Sequence, residues 1–248
     1  MPGNSFSLRN IFRERIDPKT YLGFHLTIGL ALTAAAIWLF SALLDAVLDD
    51  KTVVHWDIAA DAAIHAHTTA AGLRAVNVVT QLGSPPAMTL LGIIVAAVLW
   101  KQGHKTILIG WSAAFVGGAL LNLVLKDAVH RHRPEFATAY LHDGSYSFPS
   151  GHAMGSLIGY AMLVCVAVVL RHPAQRMKRV WWTLAAAAIL VIGMSRLYLG
   201  VHYPSDIAGG WAAGVACVAI SMSGIGIAMQ RQEDRTASRA AGQRAPLT

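Results

Sequence analysis

Long apolar runs separated by short polar stretches dominate this chain. The runs extend from about Tyr21 to Val47, Ala87 to Trp100, Ile107 to Leu125, His152 to Leu170, Val180 to Leu199 and Pro204 to Met229. A helix needs about 20 apolar residues to cross the hydrocarbon core of a bilayer, and the first run exceeds that length. The second is short, but Pro85-Pro86 suits a helix start, and local thinning or burial within a bundle absorbs a modest mismatch. The pattern predicts an all-α, polytopic membrane protein with six transmembrane helices.

The intervening polar stretches refine this layout. Val53 to Leu82 mixes small apolar residues with Asp57, Asp61, His65, His67 and Arg74, which predicts short interfacial amphipathic helices, read as a cover for the bundle in preference to a catalytic role. Arg9, Arg13, Arg15 and Lys19 precede the first run and give it a superficial likeness to a signal peptide. The run is too long for one and no small-residue cleavage pattern ends it, so a retained first helix is expected. Past Gln230 the chain is rich in Arg, Ala and Gln and is expected to be a flexible tail. The predicted organisation is a basic cytoplasmic segment over 1–20, one six-helix domain over 21–230 and a basic tail over 231–248. Gly155 with Gly159, and Gly210 with Gly214, carry the small-xxx-small spacing that lets helices approach closely, a signal read as packing within the bundle in preference to a dimer contact.

Composition agrees with a membrane setting, since 55% of the 248 residues are hydrophobic and only 13% are charged. The net charge of +7 invites a nucleic-acid partner. Its Lys and Arg residues, however, gather in the tails and certain short loops and form no stripe with interleaved aromatics, so no nucleic-acid partner is expected. Cys165 and Cys217 lie inside apolar runs, where a free Cys behaves as a small hydrophobe. Loop charge sets the orientation. Arg9 to Lys19, Lys101 to Lys105, Arg171 to Arg179 and the tail with Arg231, Arg235, Arg239 and Arg244 fall on one side if six helices alternate, which makes that side cytoplasmic. The opposite side receives Asp45, Asp49, Asp50, Asp57 and Asp61, and is expected to face the periplasm or exterior of a bacterial inner membrane.

Three polar clusters fall on that outer side, each at the edge of an apolar run, where an ionisable residue is a functional-site hypothesis by default. The first is Lys126 with Arg133-Pro134, and an Arg fork can grip two phosphate oxygens while a Lys acts as a point charge. Snorkelling is the ordinary role for such residues, but these lie on the side where the charge bias makes basic residues scarce. The second, Pro149-Ser150-Gly151-His152, opens a helix. Ser150 suits an N-cap, Gly151 lets a ligand approach, and the free amides form an anion cradle beside His152, which is placed to protonate a departing alkoxide. The third is Ser195-Arg196 followed by His202 and Asp206. Asp206 can accept the proton on one imidazole nitrogen and free the other to attack phosphorus, or cap the helix dipole, or both. His130, His132, His142, His152 and His202 raise the alternative of a metal site, but Lys126, Arg133 and Arg196 would repel a cation and replace it as a charge clamp, so no metal and no cofactor is expected.

Lys126, six residues, Arg133-Pro134, then Pro149-Ser150-Gly151-His152, then Ser195-Arg196, five residues, His202, three residues and Asp206 resemble the full three-part pattern of the type 2 phosphatidic acid phosphatase (PAP2) family, without departure at the motif positions. The resemblance implies a metal-independent membrane lipid phosphatase working through a phosphohistidine. It makes His202 the nucleophile, Asp206 its orienting partner and His152 the proton donor, and it has Lys126, Arg133, Ser150, Gly151 and Arg196 bind phosphoryl oxygens. Implied substrates are lipid phosphates or lipid pyrophosphates of the phosphatidic acid, phosphatidylglycerol phosphate, undecaprenyl pyrophosphate or lipid A type. Two alternatives stand beside hydrolysis: phosphoryl transfer between lipids, and non-catalytic phospholipid binding. Intact His202, His152 and Asp206 argue against the second, since a binder needs the cations and not the nucleophile and acid.

Overall fold

A computed structural model describes residues 21–49, 51–136 and 145–243. The basic segment 1–20, Asp50, His142, Asp143 and Arg244 with the remaining tail lie outside them. The described chain forms α1 (Tyr21–Asp49), α2 (Lys51–His65), α3 (Ala70–Thr80), a 3-10 turn (Gln81–Gly83), α4 (Pro85–Lys101), α5 (Lys105–Val129), α6 (Gly151–Arg171), α7 (Gln175–Tyr198) and α8 (Pro204–Gln243). Six stretches are long and apolar enough to cross a membrane, in the order the hydrophobic pattern predicts.

The boundaries follow local chemistry. Ser84 caps α4 by accepting the Ala87 amide proton, with Pro85 and Pro86 in the first turn where no N–H is needed. At 17 residues α4 is short, but α3 and the 3-10 turn precede it almost without interruption, so an apolar helical stretch of 32 residues runs from Ala70 to Lys101. The third span, expected to end at Leu125, continues to Val129, which puts Lys126 in its last turn. His130 then takes a left-handed conformation, with φ 51°, and turns the chain out of the helix. The sixth helix departs most from expectation, because residues 231–243 of the expected flexible tail continue it. Ala, Arg, Gln and Glu are good helix formers and no Pro interrupts them, so the hydrogen-bond ladder begun in the apolar part runs on.

The α6 helix is the most enclosed of the six, packed against α5, α7 and α8, while α1 lies along α8. Leu99, Trp111, Met154, Ile158 and Met162 form the centre of the core. Trp38, Leu90, Ile109, Leu123, Leu184 and Ile220 point outward and are each more than half exposed. Such a surface is a liability in water and is the ordinary exterior of a bundle dissolved in lipid. The glycine pairs serve packing within this bundle. A Cβ on Gly210 would lie 2.7 Å from the Ser150 carbonyl oxygen, and one on Gly159 would lie 2.7 Å from the Met88 sulfur. The Gly210 contact holds the start of α6 against α8.

Gly210→Ala should therefore destabilise the bundle by about 1–3 kcal/mol, the usual cost of overpacking. Gly224→Ala, whose Cβ meets nothing within 4 Å, should be neutral or slightly stabilising through its helix preference. Thermal unfolding of the two variants in detergent reads the difference, and equal melting temperatures would contradict this packing.

Candidate active site

Four helix ends and one loop meet on a single side of the bundle: the C-termini of α5 and α7, the N-termini of α6 and α8, and the segment that follows α5. The loop is clipped to itself, with the Ser147 amide donating to the Arg131 carbonyl at 2.8 Å and the Ser147 hydroxyl donating to the His132 carbonyl at 3.1 Å. It also supplies acceptors for the cations. Lys126 Nζ donates to the Tyr146 carbonyl. Arg133 donates from Nε to the Ser145 carbonyl at 2.7 Å, from Nη2 to Ser145 Oγ at 2.7 Å and from Nη1 to the Val201 carbonyl at 2.8 Å.

Ser150 caps α6, accepting the Ala153 amide proton on its hydroxyl, and its own amide donates to the Asp206 carbonyl at 3.0 Å. That amide is thus spent on joining α6 to α8, and Ser150 has its hydroxyl proton left for a ligand. Among the described residues the Gly151 and His152 amides have no protein acceptor, as is usual for the first positions of a helix, and they make the N-terminus of α6 an anion cradle. Gly151 fits closely beside Asn122, whose Oδ1 would lie 3.0 Å from an added Cβ. Arg196, near the end of α7, is buried and donates to Thr80 Oγ1 at 3.2 Å.

His202 is nearly enclosed and its ring is held from both sides. Arg133 Nη1 stands 3.1 Å from Nε2, and Asp206 Oδ2 stands 3.3 Å from Nδ1. A guanidinium can only donate and a carboxylate can only accept, so the ring carries its proton on Nδ1 and presents the Nε2 lone pair to Arg133. Burial pushes the His202 pKa well below its ordinary value, and the positive charges of Arg133, Arg196 and Lys126 push it further down, so the ring is neutral. His152, in the first turn of α6, lies within electrostatic reach of Arg196, His202, Arg133 and Lys126. The structure thus brings together Lys126, Arg133, Ser150, Gly151, His152, Arg196, His202 and Asp206, while Ser195 donates to the Ile192 carbonyl within its own helix. Chemically, it offers a neutral imidazole with an aimed lone pair, three fixed cations, two free amides and a second imidazole. Among the described residues no group of three or more His, Cys, Asp or Glu side chains is arranged to hold a metal ion.

Sequence reasoning missed the layer behind the ring. Arg131 pairs with Asp206 Oδ1 at 2.6 Å and with Asp57 Oδ2 at 2.7 Å, and its guanidinium lies over the Tyr203 ring at 4.4 Å. Asp57 also accepts the Ser205 amide proton at 3.1 Å and the Ser205 hydroxyl proton. Burial works against the charge on Arg131, but Asp206 and Asp57 outweigh it and raise the pKa above its usual value. Thus α2, expected only to cover the bundle, reaches the base of the site. The available signal was the spacing of Asp57, Asp61 and His65, which puts three polar side chains on one face of a helix. Asp61 is buried on that face, and burial raises its carboxyl pKa against the opposing effect of His65.

A model of the PAP2 superfamily matches residues 105–229. Phosphatidylglycerophosphatase B of Bacillus subtilis is 32% identical over 142 residues, covering 55% of this chain and 67% of that protein. Decaprenylphosphoryl-5-phosphoribose phosphatase of Mycobacterium tuberculosis is 30% identical over 154 residues, covering 59% of this chain and 76% of its own length. The crystal structure of a transmembrane PAP2 type phosphatidylglycerolphosphate phosphatase from Bacillus subtilis superposes with a TM-score of 0.68 at 27% identity, over 77% of this chain and 94% of that one.

The depressed pKa of His202 has a signed consequence. Only the neutral ring can attack, and it gains its disabling proton well below pH 6.5, so the acid side of a kcat/KM profile should fall away below 6.5. The profile is to be taken with a soluble aryl phosphate and corrected for that substrate's own ionisation. An acid limb centred at or above 6.5 would contradict a ring kept neutral by its surroundings.

Proposed function

Since the chain belongs to the PAP2 superfamily, we propose that it is an integral membrane lipid phosphatase that hydrolyses a lipid phosphate monoester or lipid pyrophosphate through a phosphohistidine, without a metal. The observation that carries this reading is the His202 ring, fixed between Asp206 and Arg133 with its Nε2 lone pair toward the cations. In the first step Nε2 attacks phosphorus, the bond to the leaving oxygen breaks, and His152, which takes up a proton as the negative charge of the phosphate enters the site, gives that proton to the leaving oxygen. Negative charge on the equatorial oxygens is met by Lys126, Arg133, Arg196 and the Gly151 and His152 amides, a preorganised clamp of the kind that supplies most of the stabilisation in phosphoryl transfer. Asp206 takes up the positive charge that forms on the His202 ring. In the second step water, deprotonated by His152, attacks the phosphohistidine and frees phosphate.

Support for a lipid substrate comes from the setting. An apolar cavity lies between α3 and α7, lined by Val76, Val79, Val191, Met194 and Leu197, and Leu197 is the neighbour of Arg196 in sequence. Ser195 and Leu197 line it and Arg196 does not, so the cavity offers an apolar surface near the end of α7 for a chain still in the bilayer. The two relatives are named for a phosphatidyl and a decaprenyl compound, and a phosphate ester on a lipid is common to both. We place the site on the periplasmic or outer face, because Lys101, Lys105, Arg171, Arg176, Lys178 and Arg179 lie at the opposite helix ends.

With a panel of lipid phosphates, His202→Ala should abolish turnover and Asp206→Asn should leave a weak residual rate, a loss on the order of 10⁴-fold as for an orienting carboxylate elsewhere. Wild-type activity should survive EDTA. Full turnover by His202→Ala, or an EDTA-treated enzyme restored only by a divalent cation, would contradict the mechanism. For orientation, a cysteine replacing Asp49 should react with an impermeant maleimide from outside intact cells and one replacing Arg176 should not, and the reverse pattern would move the site to the cytoplasmic leaflet.

A further inference from the structure

We propose that Arg131 is a positioning residue for the reaction, anchored by Asp57 of α2, and that it acts on His202 through Asp206. The inference rests on the phosphohistidine reading above. Its basis is how completely the Arg131 fork is committed. Nη1 donates to Asp206 Oδ1 at 2.6 Å and to Ser205 Oγ at 2.7 Å, Nη2 donates to Asp57 Oδ2 at 2.7 Å, and the flat face lies over Tyr203. This is the bridging of two carboxylates that a planar guanidinium performs and an ammonium does not. Arg133, in contrast, touches His202 directly and also donates to two carbonyls and a hydroxyl. Two arginines two residues apart thus divide the work: Arg133 faces the ring and the phosphate cradle, and Arg131 stands behind the carboxylate.

Asp206 needs such a partner because its side chain has no exposed surface. Its Oδ2 receives the Tyr203 amide proton at 2.8 Å and the His202 Nδ1 proton at 3.3 Å, both from neutral donors. Among the described residues the formal cation in contact with it is Arg131. An enclosed carboxylate without a countercharge holds its ionised form poorly. An uncharged Asp206 would no longer compel His202 to carry its proton on Nδ1, and the Nε2 lone pair would be lost to the other tautomer. Asp57 completes the arrangement by accepting from Arg131 and from both the amide and the hydroxyl of Ser205, the residue before Asp206. In this way α2 fixes the first turn of α8 and the guanidinium together.

The test is a double-mutant cycle on the full-length protein in detergent, using the lipid phosphate that the wild type turns over fastest, with His202→Ala as the blank. Arg131→Gln should lower kcat about ten- to a hundredfold, as loss of a partner behind a catalytic group commonly does, with KM within about twofold of wild type because the phosphate grip is untouched. Arg131→Lys should recover part of the rate. In the Asp206→Asn background, Arg131→Gln should cost little more, since the residue through which it acts is already impaired. Asp57→Asn reads the same coupling if Arg131→Gln does not fold. Three outcomes would overturn the proposal: wild-type kcat in Arg131→Gln, a raised KM with unchanged kcat, or losses that multiply in the double variant. If His202→Ala retained turnover, the phosphohistidine reading would fail and take this inference with it. An inert His202→Ala beside an unaffected Arg131→Gln would sink the inference alone.

Discussion

Asp206 is an acidic side chain with no exposed surface at the first turn of a membrane helix, and much of the outer end of the bundle is arranged around satisfying it. Its carboxylate takes three donors, the Tyr203 amide and the His202 ring of the α7–α8 loop and Arg131 of the α5–α6 loop, and Asp57 of α2 holds that Arg131 in place by accepting from it. Its backbone carbonyl takes a fourth, the Ser150 amide at the start of α6. Removing one partner of a buried charge pair is far more costly than forming the pair is beneficial. The elements that supply donors to Asp206 are therefore fixed relative to one another, and these same elements carry the rest of the site.

Charge decides what this frame can do. Lys126, Arg133 and Arg196 crowd a small space in which burial and mutual repulsion keep His202 neutral. An anion with several oxygens suits such a site, because a phosphoryl group offers several charged acceptors to the three cations at once. The cations that depress the basicity of the ring in the free protein are then neutralised by the substrate at the moment the ring must attack. An imidazole aimed by an ionised carboxylate, with cations ahead of it and donors behind, uses fixed charges throughout and asks little reorganisation of them.

Much of this was legible in the chain, for reasons particular to each part. Five of the apolar runs became helices within a few residues of their expected ends, because Pro85, Ser150 and the end of each run are local signals. Lys126, Arg133, Ser150, Gly151, His152, Arg196, His202 and Asp206 could be named because each sits at a helix edge where a polar residue is conspicuous. Arg131 stood in the same stretch as Arg133 and could not be told apart from it, since a guanidinium that grips phosphate and one that grips a carboxylate look alike until their partners are known. Asp57 was visible as part of a polar helix, but its contact spans 74 residues to Arg131 and 148 to Ser205, and no local pattern reports such a contact. The helix from 231 to 243 was hidden by weighing polarity above helix propensity.

The central claim is that Nε2 of His202 is the atom that meets phosphorus while fixed cations hold its oxygens. It is tested most directly by a crystal structure of the protein with vanadate, which adopts the five-coordinate geometry of the phosphoryl transition state. The account predicts vanadium bonded to His202 Nε2, with Asp206 still on Nδ1, and with Lys126, Arg133, Arg196 and the α6 amides around the equatorial oxygens. Vanadate bound through another side chain, through a metal ion, or away from His202 would contradict it.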